Sequence, residues 1–182
     1  MEIDEKELIK GCIEGDRLSQ EMLYKRFSGQ MYAISLRYTK ATQEAEDVLQ
    51  ESFIKVFRQI KNYKKEAPLV FWIKRIVINT ALNAQRSKLY LYPMVDVDDL
   101  KEKAGEQKEV SDYTMDELMS MVKDLPASSQ IIFNLYAIEG YKHHEIAEML
   151  EISVGTSKSQ YSRAKFLLRE RMKEKSKHYG KG

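Results

Sequence analysis

The chain has 182 residues, 43% of them hydrophobic and 32% charged, and its net charge is only +2. That length holds one or two compact domains with true cores. The lone cysteine, Cys12, excludes an intrachain disulfide and a cysteine-based metal centre, and it fits a reducing compartment. The opening Met1-Glu-Ile-Asp-Glu-Lys lacks the apolar stretch of a signal peptide. No apolar run nears the roughly 20 residues that span a bilayer. A soluble, cytoplasmic protein without stable membrane insertion is therefore expected.

The small net charge conceals a pattern. Residues 61–92 carry 7 Lys/Arg against 1 Asp/Glu, residues 93–125 carry 4 against 10, and residues 141–182 carry 10 against 5. Two basic blocks around an acidic one point to two surfaces for a polyanion. The plainer alternative is two solvated helical faces.

Helical periodicity dominates and strand-like alternation is weak, so the expected fold is all-α. A first helix is expected over residues 4–14, with Asp4 at its N-cap, and a turn at Gly15-Asp16. Residues 17–39 read as a second helix, with Leu18, Met22, Leu23, Phe27, Met31, Ile34, Leu36 and Tyr38 as its core side. Thr42 is a candidate cap for a third helix to about Ile60, whose inward stripe is Ala45, Val48, Leu49, Phe53, Val56 and Phe57. A basic loop runs from Asn62 to Pro68. A fourth helix follows, from Leu69 to about Tyr90, with Trp72, Ile73, Ile76, Val77 and Leu82 inside. Pro93 ends it.

Two small helical domains joined by a flexible linker are thus expected. They span residues 1–92 and 113–175, with an acidic linker over 93–112 and a disordered tail over 176–182. A flexible linker of that length spans about 25 Å. In the second domain, His144-Glu-Ile-Ala-Glu-Met-Leu150 places Ile146, Ala147, Met149 and Leu150 along one side of a short helix. Glu151-Ile-Ser-Val154 breaks it, and Gly155 opens a longer one. The polar side of that helix carries Thr156, Lys158, Ser159, Ser162 and Arg163. Its apolar side carries Tyr161, Ala164, Leu167, Leu168 and Met172. A short helix, a turn and a basic second helix make the layout of a helix-turn-helix, whose second helix enters a DNA major groove. Lys158 and Arg163 suit phosphates or base edges, and Thr156, Ser159 and Gln160 can bond to either.

Three further clusters stand out. Glu46, Asp47, Gln50 and Glu51 share one helix face, which reads either as solvated or, with Leu49, Phe53 and Phe57 beside it, as a docking face for a protein. Phe71-Trp-Ile-Lys-Arg-Ile-Val-Ile-Asn-Thr-Ala-Leu-Asn83, preceded by Lys61, Lys64 and Lys65, gathers aromatic, basic and amide side chains at one helix start. Such surfaces suit unstacked single-stranded bases, although Trp72 itself reads as core. His143-His144-Glu145 lacks the spacing of a metal site, since adjacent helical residues do not face one another. No cofactor and no metal are expected. No nucleophile–base pair and no phosphate loop are visible, which speaks against an enzyme.

With these motifs in order, the chain resembles a bacterial RNA polymerase sigma factor of the sigma-70 family, extracytoplasmic-function group. Glu44-Ala-Glu-Asp-Val-Leu-Gln-Glu-Ser-Phe-Ile-Lys-Val-Phe57 is similar to the family segment that grips the polymerase clamp helices. Phe71 to Asn83 is similar to the segment that opens and reads the downstream, minus-ten promoter element. Leu125-Pro to Arg171 is similar to the domain that reads the upstream, minus-thirty-five element and touches the polymerase flap. The resemblance implies that Asp47, Gln50, Glu51 and Phe53 contact the core enzyme. It implies that Asn79, Lys74, Arg75, Lys64 and Lys65 hold melted promoter bases, and that Lys158, Ser159, Ser162 and Arg163 meet the upstream duplex. An anti-sigma factor is an expected further partner. Ser157 stands where the family usually has Val, and Gln160 where Arg is common. The loop Lys64-Lys-Glu-Ala-Pro68 lacks a Gly-rich look often found there. Two other readings remain on the residues alone. One is a dimeric helix-turn-helix regulator of duplex DNA, and the other is an interaction module with no direct role at DNA.

Overall fold

The computed structural model describes the backbone of residues 4–91 and 113–179, and the side chains of 4–85 and 113–174. The expected linker, 93–112, and the stop at Pro93 lie outside the described residues. The chain divides into two compact units, residues 1–87 and 88–182, a boundary that falls within the last turns of the fourth helix. All regular structure among the described residues is helical.

The first unit opens with α1 (Glu5–Glu14) and α2 (Arg17–Tyr38). Asp4 occupies the N-cap of α1, but its side chain makes no capping bond. Gly15 ends α1 in the left-handed region, φ 79°, where glycine carries no Cβ penalty. The Asp16 carboxylate then caps α2, accepting from the Ser19 N–H at 2.8 Å and its hydroxyl at 2.6 Å. Those two bonds hold the Asp16 carboxyl below its ordinary range. The two helices approach closely at Gly11, where an added Cβ would lie 2.7 Å from the Ser19 Cβ.

α3 (Thr42–Gln59) runs into a 3-10 turn, Ile60–Asn62, and α4 covers Leu69–Leu91. Thr42 is the first helical residue rather than the cap. Ala41 takes that position, and the Glu44 carboxylate reaches back to accept from the Lys40 N–H at 3.3 Å. The core joins Leu23, Met31 and Ile34 of α2 to Val48, Phe53 and Val56 of α3 and to Ile73, Val77 and Ile78 of α4. Leu18, expected inside, is 62% exposed, because the first turn of α2 precedes the stripe that begins at Leu23. Met22, Leu36, Phe57, Trp72 and Ile76 are half-buried, whereas Ile78 is fully buried. Cys12 also lies in this core, and burial, with Asp16 adding to it, pushes its thiol up to about 11. It is a packed, protonated side chain rather than a nucleophile.

The second unit comprises α5 (Met115–Lys123), α6 (Ala127–Phe133) with a π-helical turn over Asn134–Ile138, α7 (His143–Leu150) and α8 (Val154–Tyr179). Thr114 and Glu117 form a capping box at the start of α5. Its far end is closed by Arg171 of α8, whose guanidinium donates to the carbonyls of Met121 at 2.9 Å and Asp124 at 3.1 Å. Beneath that clasp Met121, Val122 and Leu125 pack against Ala164 and Leu168. Helix α8 is longer than expected. The backbone is helical through 176–179, so the tail does not begin at Ser176. Nothing between Ser176 and Tyr179 breaks a helix, and the first glycine comes at 180. Residues 180–182 lie outside the described residues.

Candidate nucleic-acid interface

The turn between α7 and α8 is built from Glu151 to Ser153. Glu151 takes the left-handed conformation at φ 56°, and the Ile152 N–H returns to the Ala147 carbonyl at 3.0 Å. Ser153 then caps α8, its Oγ accepting from the Thr156 N–H at 2.9 Å. At α7 the bond runs the other way, with Glu145 inside the first turn reaching back to accept from the Lys142 N–H at 2.7 Å. These caps fix the helix-turn-helix geometry.

Helix α8 has two unlike faces. Lys158, Phe166 and Arg169 are exposed, and Ser159, Ser162, Arg163 and Lys165 are half-buried on or beside the same side. The opposite stripe is Ser157, Gln160, Ala164 and Leu168, at spacings of three and four. Two residues expected to face DNA therefore need correcting. Gln160 is only 1% exposed, and its Oε1 accepts from the hydroxyls of Ser129 at 2.9 Å and Ser128 at 3.2 Å. Thr156 is buried, with its hydroxyl 2.8 Å from Ser153 Oγ. Both are polar, so composition placed them outside, but Gln160 is satisfied by the serines of α6 and Thr156 by the serine that caps its own helix. Phe166 and Arg169 were missed, although Arg169 lies seven residues from Ser162, two turns along one face.

His143 opens α7 and belongs to an aromatic cluster rather than a metal site. Its ring stacks on Tyr136 at 4.2 Å and 14°, meets Tyr161 edge-on at 5.8 Å, and sets Nδ1 2.9 Å from Ser157 Oγ. Burial, and secondly the positive charge of Lys158, hold this imidazole below its ordinary value. Lys165 sits over the Tyr161 ring at 5.3 Å. No cluster of three or more metal-ligating side chains occurs among the described residues.

On α4, Phe71, Arg75, Asn79 and Asn83 recur every fourth residue and are all exposed, forming one continuous stripe. Lys74 is half-buried, with its ammonium 5.4 Å from the Phe71 ring centre. Trp72 turns inward beside Tyr63 at 5.4 Å. The Tyr63 hydroxyl closes the preceding loop on the Ala67 carbonyl at 2.6 Å. At the loop's apex Lys64 and Lys65 are exposed, and Lys65 holds φ at 60°. Lys64 and Lys65 are thus exposed in the loop before α4, and Arg75 and Asn79 on the stripe that runs from the start of the helix to its middle.

On α3, Asp47, Gln50 and Glu51 are exposed together. Phe53 is not with them. It is 3% exposed and packs between Tyr24, at 4.7 Å, and Phe57, at 6.0 Å. The apolar residue that does stand on the outer face is Ile54, half exposed and three residues from Glu51. One residue is about 100° around a helix, enough to exchange core for surface.

Residues 23–89 match the family model "Sigma-70 region 2", and residues 115–166 match "Sigma-70, region 4". The chain is similar to the ECF RNA polymerase sigma-E factor of Haemophilus influenzae, 26% identical over 94% of this chain and 96% of that one. The sigma-E factor of Escherichia coli K12 is 27% identical over 90% of this chain and 92% of its own length. In fold it is similar to the sigma factor RpoE of Bartonella quintana, solved with the anti-sigma factor NepR. That match has a TM-score of 0.53 and 18% identity, and covers 84% of this chain and 96% of that one. CnrH, solved with the cytosolic domain of CnrY, gives a TM-score of 0.50 at 18% identity over 92% of this chain and 96% of that one. The chain belongs to the sigma-70 family, in its extracytoplasmic-function group. It is a transcription initiation factor, not an enzyme, and it directs core RNA polymerase to promoters. None of the described helices is long and apolar enough to cross a membrane.

Proposed function

We propose that the two units divide the work of promoter recognition. Asp47, Gln50 and Glu51 on α3, with Ile54 replacing Phe53, dock on core polymerase. Lys64, Lys65, Lys74, Arg75 and Asn79, joined by the exposed ring of Phe71, hold unstacked bases of the downstream element. Lys158, Ser159, Ser162 and Arg163, with Arg169, meet the upstream duplex. Thr156 and Gln160 drop out of the contact set. The observation that carries this reading is the two-faced character of α8: a sealed inner stripe, and an outer face with cations and hydroxyls at its surface. Phosphate contacts of that kind make affinity fall steeply with salt. Tethering the two units lets two modest affinities combine. Residues 1–92 serve the core enzyme and the downstream element, 93–112 tether, and 113–175 serve the upstream element. The protein acts in the cytoplasm, and an anti-sigma factor holds it inactive. The sigma–anti-sigma complexes formed by its structural relatives support that last point.

The test is transcription in vitro with purified core polymerase and a pool of genomic promoter fragments, with start sites mapped. Start sites that share two spaced elements are expected only when the protein is added. Arg163→Ala weakens promoter binding with core binding unchanged, whereas Asp47→Ala with Glu51→Ala weakens core binding. Equal loss of both activities in Arg163→Ala would refute the assignment.

A further inference from the structure

The inner stripe of α8 changes character along its length. Toward the C-terminus it is apolar, with Ala164 and Leu168 against Met121, Val122 and Leu125. Toward the N-terminus, behind the residues proposed to meet DNA, it is polar. There Gln160 bonds to Ser128 and Ser129 of α6, and Ser157 bonds to His143 of α7. The two positions lie three residues apart on one side of the helix, and each reaches a different neighbour. Ser129, Ser157 and Gln160 are all at or below 1% exposure.

Apolar burial is non-directional, so its hold on a helix's exact angle comes only from the fit of the packed side chains. A hydrogen bond weakens steeply away from its preferred angle, and a buried one has no water to replace a lost partner. Bonds from one helix to two neighbours therefore fix both its rotation about its own axis and its tilt. We infer that Gln160, gripped by Ser128 and Ser129, is a positioning residue that sets the angle at which α8 presents its outer face to the upstream element. It touches no DNA. Ser157 with His143 is the second point of the same two-point mounting. Base readout in the major groove depends on side chains meeting base edges in a fixed orientation, whereas phosphate contacts supply affinity without sequence information. Loosening this mounting therefore lowers sequence discrimination more than affinity. The inference rests on the proposal that the outer face of α8 meets upstream DNA.

The experiment uses holoenzyme made from core polymerase and the full chain. The probe is a promoter found by the transcription assay, with its upstream element randomised; bound DNA is sequenced. Gln160→Met keeps the length of the side chain and removes the acceptor. Ser128→Ala with Ser129→Ala removes the donors from the other side. Each is expected to reduce enrichment of the preferred element over its single-base variants about tenfold, which corresponds to 1.4 kcal/mol. Combining the two is expected to add little further loss, since both break one contact. Holoenzyme formation and binding to DNA lacking the upstream element stay within about twofold. Unchanged enrichment in both variants, whatever happens to their melting temperatures, overturns the inference and leaves Gln160 as ordinary core. A uniform loss of affinity for all DNA overturns it equally. Arg163→Ala separates the two levels. If it abolishes upstream selection while Gln160→Met does not, only the positioning role fails. If neither variant changes selection, the assignment of α8 to the upstream element falls, and the positioning role with it.

Discussion

Three buried hydroxyls of the first unit and the serines that meet Gln160 and His143 in the second are used in opposite ways. In the first unit Ser35 donates to the Met31 carbonyl, Thr39 to Ser35 and Ser52 to Val48, each one turn back in its own chain segment. Such a bond satisfies the hydroxyl without regard to the neighbouring helix, so packing of Leu23, Val48, Val56 and Ile73 is left to set interhelical geometry. In the second unit Ser128 and Ser129 reach across to Gln160, and Ser157 reaches across to His143. The same chemical group is neutral toward helix register in one unit and selects it in the other. Polar burial by itself therefore does not reveal a specifying contact; the partner's location does.

The comparison is sharpened most by cutting the apolar seam of the first unit. Ile73 is fully buried on α4. Ile73→Ala is expected to cost about 2–5 kcal/mol through lost burial and the cavity left behind. A lowered urea midpoint by circular dichroism, with an unchanged denaturant slope, checks this. A loss below about 1 kcal/mol would mean that the seam collapses easily and that apolar packing does not define it.

A smaller effect tests the place where the first unit does bond across helices. Lys55 on α3 donates to the Thr80 hydroxyl on α4 at 3.2 Å, while pairing with Glu51 at 2.7 Å. Thr80 is buried, one residue from exposed Asn79. The ammonium is partly solvated, so the ion pair to Glu51 adds little. Leaving Thr80 unpartnered by this contact matters more. Lys55→Met is expected to destabilise by about 1 kcal/mol, and Thr80→Val by a similar or smaller amount. The double variant should be less destabilised than the sum, as measured by a denaturation cycle. Strict additivity would show that the contact contributes nothing to holding α3 on α4.

Much of this architecture was legible in the sequence, but unevenly. On α3 and α4 the three-and-four spacing separated Val48, Val56, Ile73 and Val77, which are buried, from Asp47, Gln50, Glu51, Arg75 and Asn79, which are exposed. There apolar meant inside. Phe53 and Ile54 are apolar neighbours that only angular position separates; the spacing placed Phe53 in the inward stripe, where it lies, and only the family resemblance set it at the core-enzyme face. On α8 the rule failed at Gln160, whose partners are serines contributed from α6, and at Thr156, whose hydroxyl is taken by Ser153 at the cap of the same helix. No periodicity of α8 alone reports hydroxyls more than thirty residues away on α6. Ser157 sits three residues before Gln160 and seven before Ala164, and that spacing was the available clue.

The smallest expected effect concerns the other bond in the α8 mounting. His143 has a folded pKa below the ordinary 6.5, through burial first and Lys158 second. The folded state thus disfavours the proton that the unfolded chain accepts. Between the two values the unfolded state binds more protons, so stability rises with pH there. The contribution is fully present above about 6.5 and is lost as pH falls through the folded value. Carboxylates such as Asp16, lowered by Ser19, contribute acid sensitivity only at much lower pH. His143→Phe keeps a ring against Tyr136 and Tyr161 but cannot titrate or bond to Ser157. Its urea midpoint should change less than that of the parent chain across about pH 7.5 to 5.5. Parallel pH profiles for the two proteins would show that His143 titrates as it does in the unfolded chain, and that its contact with Ser157 does not depend on a neutral ring.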